Sequence, residues 1–62
     1  MEKIRKQYTF TGHVQGVGFR YSAQYLAQAI GVTGWVKNEW DGTVVMEAQG
    51  TREQLDLLVQ KL

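Results

Sequence analysis

The chain of 62 residues contains no cysteine and no proline. The absence of cysteine excludes disulfides, thiolate zinc sites and iron–sulfur clusters. The one histidine, His13, cannot build a metal site alone. A chain of this length buries only about 60% of the surface that its unfolded form exposes. We therefore expect a single domain that folds without the staples on which many small domains depend.

A strong excess of charge and long apolar runs are also missing. Seven Lys and Arg against six Asp and Glu give a net charge of +1, so bulk electrostatics favours neither nucleic acid nor a membrane surface. No stretch approaches the roughly 20 apolar residues of a membrane span, and no apolar run of signal-peptide length follows the basic N-terminus. We expect a soluble, cytoplasmic protein whose partners include no nucleic acid and no membrane.

The first half of the chain contains one strand pattern and one helix pattern. Apolar residues recur with a period of two over residues 4–14, apart from Lys6 and Gly12, which predicts a β-strand with one face toward a core. A helical spacing then predicts an amphipathic helix that starts near Arg20 and is capped by Gly31. Its apolar stripe consists of Ala23, Leu26, Ala27 and Ile30.

The second half predicts two strands and a second helix. Strand patterns over residues 32–37 and 43–49 flank the turn signal Asp41-Gly42, which indicates a hairpin. Thr51 and Gln54 have the spacing of a capping box, which predicts the start of a helix. The apolar stripe of this helix consists of Leu55, Leu58, Val59 and Leu62.

The predicted order β-α-β-β-α is the beginning of the ferredoxin-like βαββαβ fold. This fold class is α+β, with an antiparallel sheet and two helices on one of its faces. The last strand of the plan is missing from the sequence.

The glycine-rich segment 12–20 joins the first strand to the first helix. Backbone N–H groups at a helix N-terminus have no intrahelical partners, and the helix dipole favours an anion there. Glycines let the backbone approach a ligand closely, and Arg20 adds a fork of donors that matches phosphate oxygens. We interpret the segment as a phosphate cradle. The spacing matches neither a Walker A loop nor a dinucleotide fingerprint, so a glycine-rich turn with a solvated arginine is the alternative.

Asn38 is the second candidate, at the end of strand two just before the hairpin turn. A neutral amide can orient a water molecule without trapping a proton or repelling an anion. The alternative is a turn residue that satisfies its own backbone.

These two segments resemble the signatures of the acylphosphatase family. The first is Gly12-x-Val14-Gln15-Gly16-Val17-x-Phe19-Arg20, and the second is Gly34-Trp35-Val36-Lys37-Asn38-x-x-x-Gly42-x-Val44, followed after five residues by Gly50. The likeness covers roughly residues 8–62 of a single domain that spans residues 1–62.

The resemblance implies an enzyme that hydrolyses small acyl phosphates, which are carboxyl phosphate anhydrides, to carboxylate and inorganic phosphate. It implies no metal and no cofactor. It also implies that Arg20 and loop amides bind the phosphoryl group, while Asn38 positions the attacking water. The residues that the resemblance places in the phosphate-binding loop are Gln15, Gly16, Val17, Gly18, Phe19 and Arg20.

Two other functions stay open beside hydrolysis. One is a non-catalytic phosphate-binding module or a truncated, inactive acylphosphatase-like protein. The other is a nucleic-acid-binding sheet of the kind found in RRM domains. The near-neutral charge argues against that sheet, as does the placing of Tyr8 and Phe10 on the core face of strand one.

The chain departs from the family's pattern after the second helix. Family members continue into a last strand that pairs with strand one, in the sheet order 4-1-3-2, whereas here nothing follows Leu62. The domain is then truncated, or completes its sheet by dimerising, or belongs to a chain that continues further. We expect self-association through the unpaired edge of strand one, or a destabilised fold, rather than a well-behaved monomer.

Overall fold

The computed structural model describes residues 2–12 and 17–62. Its elements, in chain order, are β1 (Ile4–Phe10), α1 (Val17–Ile30), β2 (Thr33–Asn38), β3 (Val44–Gly50) and α2 (Arg52–Lys61). The three strands form an antiparallel sheet in the order β1-β3-β2. The predicted α+β class and the order β-α-β-β-α are therefore confirmed. No helix in the described ranges is long and apolar enough to cross a membrane.

The central strand β3 sets the register of the sheet. β1 pairs with it so that Phe10 lies opposite Val44, and β2 pairs with it so that Asn38 lies opposite the same residue. The carboxyl ends of β1 and β2 therefore meet the beginning of β3 at one end of the sheet. This is the end at which α1 begins.

The core lies between the sheet and both helices. Its buried residues are Val32, Met46, Ala48, Leu55 and Leu58, and the partly buried residues packed against them are Ile4, Tyr8, Phe10, Leu26, Ala27, Ile30, Val36 and Leu62. Since side chains alternate between the faces of a strand, these residues place both helices on one face of the sheet. Tyr8 and Phe10 lie on that face, as predicted.

The burial of two residues differs from what the alternation of a strand or the apolar stripe of a helix indicates. Val45 lies on the face away from the helices but is only 8% exposed, because Thr9 and Lys37 flank it from the two neighbouring strands. Val59 belongs to the predicted stripe of the second helix, yet it is 39% exposed. Leu55 and Leu58 take the buried side of α2, and Val59 lies at its margin.

Two predicted boundaries around the glycine-rich segment were wrong. β1 ends at Phe10 and does not reach residue 14, and Gly12 has a φ of 90°, which departs from strand geometry. α1 begins at Val17 rather than near Arg20, so Val17 and Gly18, which precede the predicted start, are helical. Residues 13–16, including His13 and the predicted loop residues Gln15 and Gly16, lie outside the described residues.

The helix caps agree with the sequence. Gly31 has a φ of 98°, and the N–H of Val32 donates to the carbonyl of Ala27 at 2.8 Å, which closes the last turn of α1. At the start of α2, the Gln54 N–H donates to Thr51 Oγ1 at 3.1 Å and the Thr51 N–H donates to Gln54 Oε1 at 2.9 Å. The predicted capping box is confirmed. Gln54 Nε2 also donates to the carbonyl of Ile30 at 3.2 Å, which joins the two helices.

Candidate active site

The first turn of α1 is anchored on the end of β1. The ring of Phe19 lies edge-on to that of Phe10, with centroids 5.3 Å apart and an interplanar angle of 63°. Phe10 and Asn38 both pair with Val44, and adjacent strands lie about 4.8 Å apart. The backbones of Phe10 and Asn38 are therefore roughly 10 Å apart across the sheet. The start of α1 and the end of β2 thus lie at the same end of the molecule.

The residues of this first turn present unpaired backbone donors. Val17, Gly18, Phe19 and Arg20 are the first four residues of α1, so their N–H groups have no acceptor within the helix. The first turn contains no Asp or Glu that could compete with an incoming anion. Four of the six predicted loop residues therefore lie where the helix dipole attracts negative charge.

Arg20 carries a donor that lacks a partner. Its side-chain Nε is buried and makes no hydrogen bond within the described part of the chain. Leaving such a donor unsatisfied costs about 1–3 kcal/mol, and a native structure usually has a reason for it.

Asn38 is the last residue of β2 and is exposed. The turn that follows it satisfies its own backbone. The Glu39 N–H donates to the Thr43 carbonyl at 2.8 Å, and the Gly42 N–H donates to the Glu39 carbonyl at 3.2 Å. Asp41 Oδ1 accepts from the N–H and the hydroxyl of Thr43 at 3.0 and 2.7 Å. None of these bonds uses the Asn38 amide, which weakens the interpretation of Asn38 as a residue that completes the turn.

The two acidic side chains near Asn38 have partners of their own. The hydroxyl of Thr43 holds the pKa of the Asp41 carboxyl below its usual value, and the Thr43 N–H acts in the same direction. Glu39 Oε1 lies 3.3 Å from Lys37 Nζ. Both carboxylates thus serve local contacts of the hairpin, so Asn38 is the neutral group that this strand end offers to a ligand.

The amino-acid pattern alone did not explain why the second signature begins with a glycine, Gly34. A Cβ at Gly34 would lie 1.9 Å from the carbonyl oxygen of Glu47, and the φ of Gly34 is 148°. β2 can approach β3 this closely only with glycine at that position. Sequence reasoning also missed the contact between Phe10 and Phe19, although the strand pattern and the first signature each contain one of the two residues.

Comparisons with known proteins match most of the chain to one family. The family model described as Acylphosphatase matches residues 6–62. The chain is 49% identical over 59 residues to an acylphosphatase of Bifidobacterium longum, covering 95% of this chain and 61% of that protein. It is 53% identical over 51 residues to one of Geobacillus kaustophilus, covering 82% and 54%.

The fold of the chain agrees with a solved structure as well. The crystal structure of acylphosphatase from Bacillus subtilis superposes with a TM-score of 0.87 at 40% identity, over 92% of this chain and 63% of that one. The chain thus spans between about half and two thirds of the length of these relatives. On the evidence of the family model, the curated relatives and this shared fold, the chain belongs to the acylphosphatase family.

Proposed function

We propose that the chain is an acylphosphatase, which hydrolyses small acyl phosphates to a carboxylate and inorganic phosphate. The observation that carries the proposal is the buried, unpartnered Nε of Arg20 in the first turn of α1. This donor lies at the same end of the sheet as Asn38. The names of the relatives support the same reaction.

Arg20 and the N–H groups of the first turn bind the phosphoryl oxygens in this proposal. Gln15 and Gly16 complete the phosphate-binding loop by analogy with the family signature. The guanidinium and the helix N-terminus stabilise the charge of the transferring group. These donors supply the positive charge that a metal supplies in many phosphatases, so we propose a reaction without metal or cofactor.

Asn38 orients the attacking water. Its amide oxygen accepts a hydrogen bond from the water, and the water oxygen then forms the new bond to phosphorus. The bond from phosphorus to the acyl oxygen breaks, its electron pair leaves with the carboxylate, and the water proton passes to solvent. Since a carboxylate is a good leaving group, the step needs no general acid.

The test is phosphate release from benzoyl phosphate by the 62-residue chain. We expect hydrolysis that falls about 100-fold in kcat/KM for Arg20→Ala and for Asn38→Ala, the usual cost of one such donor. Arg52→Ala is the matched control, because Arg52 is exposed at the start of α2. Unchanged rates in both site variants would contradict the assignment.

The same assay separates the alternatives. Binding of inorganic phosphate without turnover would identify a non-catalytic phosphate-binding module. Folding without either binding or turnover would identify an inactive acylphosphatase-like chain.

We also propose that this chain self-associates through β1. In the described ranges β1 pairs only with β3, so its other edge offers unpaired backbone groups. Two copies paired antiparallel about Gln7 place Lys6 opposite Tyr8 and Arg5 opposite Thr9, so no like charges face each other.

Sedimentation tests this pairing. We expect an average mass that rises with protein concentration. Gln7→Lys places two lysines face to face at the centre and shifts the chain to monomer, whereas Gln28→Lys, on an exposed position of α1, does not. A monomer at all concentrations would overturn the proposal.

A further inference from the structure

Two residues of the second signature, Trp35 and Lys37, have no part in the reaction proposed above. Both belong to β2, which ends at Asn38. Val36 packs on the core between the sheet and the helices. Since side chains alternate between the faces of a strand, Asn38 shares that face with Val36, while Trp35 and Lys37 lie on the face away from the helices. The two signature residues are therefore behind the strand end that carries Asn38.

The side chain of Lys37 contacts a neighbour on each side along this outer face. Its Nζ lies 5.7 Å from the centroid of the Trp35 ring, within the roughly 6 Å over which an aromatic face attracts a cation. The same Nζ lies 3.3 Å from Glu39 Oε1. Because Lys37 and Glu39 are the two neighbours of Asn38 in the sequence, their ion pair spans that residue.

The two ends of this row of side chains are held by the sheet and by the turn. Trp35 pairs with Glu47 of the central strand β3. The N–H and the carbonyl of Glu39 both make hydrogen bonds within the turn, at 2.8 and 3.2 Å. The row from Trp35 through Lys37 to Glu39 therefore connects the middle of β2 to the hairpin turn, across the position of Asn38.

We propose that Lys37 is a positioning residue, which holds Asn38 in the orientation that directs the attacking water. The inference rests on the proposed function. A rotation of the backbone at Asn38 would turn its amide away from the phosphoryl group. The same rotation would separate the side chains of Lys37 and Glu39, so their ion pair opposes it. Lys37 itself contacts neither the water nor the substrate, because it lies on the other face of the strand.

The exposure of the ion pair sets the size of the expected effect. The Lys37 and Glu39 side chains are 61% and 30% exposed, and solvent weakens a pair of this kind. Lys37→Met lowers kcat for benzoyl phosphate about threefold, the factor that corresponds to roughly 0.6 kcal/mol. KM and the inhibition constant of inorganic phosphate change less than about twofold, because the phosphate-binding groups are untouched. Lys37→Arg keeps the charge and retains most of kcat.

A double-mutant cycle with Asn38 separates positioning from a general structural role. In the Asn38→Ala chain, Lys37→Met causes no further loss of kcat, because the amide that Lys37 positions is absent. A structural role elsewhere in the fold would lower kcat about threefold in both backgrounds. Arg52→Met is the matched control, since it removes the same charge from an exposed position at the start of α2 and leaves kcat unchanged.

The outcomes separate this inference from the proposed function. If Asn38→Ala impairs turnover but Lys37→Met acts like Arg52→Met, the inference is overturned and the proposed function stands. The inference is also overturned if Lys37→Met weakens phosphate inhibition, or if it lowers kcat equally with and without the Asn38 amide. If the unmodified chain hydrolyses no benzoyl phosphate, or if Asn38→Ala has no effect, the proposed role of Asn38 fails and the inference fails with it. Circular dichroism of each variant confirms that the comparison is between folded proteins.

Discussion

Phe19 lies with its ring edge-on to that of Phe10, at a centroid separation of 5.3 Å. This contact joins the third residue of α1 to the last residue of β1, across the segment that connects the two elements. Because Phe10 shares its cross-strand partner Val44 with Asn38, the contact also sets where Arg20 lies relative to Asn38. The two proposed functional side chains are thus positioned by the sheet rather than by the connecting segment alone.

The aromatic contact predicts a joint loss of stability and activity. Phe19→Leu retains an apolar side chain but removes the ring pair, which is worth about 0.5–1.5 kcal/mol. We expect the free energy of unfolding in urea to fall by about 1 kcal/mol, and kcat/KM to fall as the first turn loses its anchor. Tyr21→Leu is the control, since Tyr21 is 67% exposed on the same helix. Equal stability and activity in the two variants would show that the ring contact does not hold the first turn of α1 in place.

Gly34 predicts the most severe single substitution. Gly34→Ala places a Cβ against the Glu47 carbonyl oxygen at a φ that L-residues rarely adopt, and we expect a loss of about 3 kcal/mol or more. Gly18→Ala is the matched control for stability, because a Cβ there meets nothing within 4 Å. Urea unfolding of both variants measures the difference. A Gly34→Ala chain as stable as the Gly18→Ala chain would mean that β2 and β3 are not this close.

The capping box predicts a graded effect at the start of α2. Thr51→Ala removes the oxygen that accepts from the Gln54 N–H, and we expect a loss of about 1 kcal/mol in unfolding free energy. Thr51→Ser keeps the hydroxyl and retains most of the stability. Chemical denaturation of the two variants measures both values, and a serine variant as unstable as the alanine variant would argue against the cap.

Asp41 predicts a pH dependence of the hairpin. Its carboxyl pKa is lower in the folded chain than the ordinary 3.8, mainly because of the hydrogen bond from the Thr43 hydroxyl. A lowered folded pKa means that the stabilisation is complete above the unfolded value and is lost as the pH falls through the folded value. NMR titration should therefore give an Asp41 midpoint below 3.8, and Thr43→Val should raise it. A midpoint that does not change in Thr43→Val would exclude the hydroxyl as its cause.

The elements were predictable because local pattern and tertiary packing agree in them. The alternation in β1 and β3, the stripe in α1 and the Thr51–Gln54 box each specify an element that the structure contains. The turn signal at Asp41 and Gly42 likewise falls between the two strands that pair. In the strands and helices, the residues that set the local conformation also face the core or cap an end.

The start of α1 was not predictable from local preference. Val17 and Gly18 are poor helix formers, and tertiary contact overrides that preference, because Phe19 packs on Phe10 within the first turn of the helix. The burial of Val45 had the same kind of cause, since it depends on neighbours from two other strands. Likewise, the burial of the Arg20 Nε and its lack of a hydrogen-bond partner depend on which groups surround it in the folded chain. The sequence indicated Arg20 and Asn38 as candidates, while their placement at one end of the sheet came from the register.

The most direct test of the proposed site measures, for one set of variants, both turnover of benzoyl phosphate and inhibition by inorganic phosphate. If Arg20 binds the phosphoryl group and Asn38 acts on the water, Arg20→Lys raises both KM and the inhibition constant of phosphate. Asn38→Ala then lowers kcat at least tenfold. The inhibition constant of phosphate for this variant stays within about twofold of the value for the unmodified chain, because removing a group that acts only in the transition state lowers kcat and leaves ground-state binding unchanged. Weakened phosphate binding in Asn38→Ala, or unaltered phosphate binding in Arg20→Lys, would contradict this division of roles.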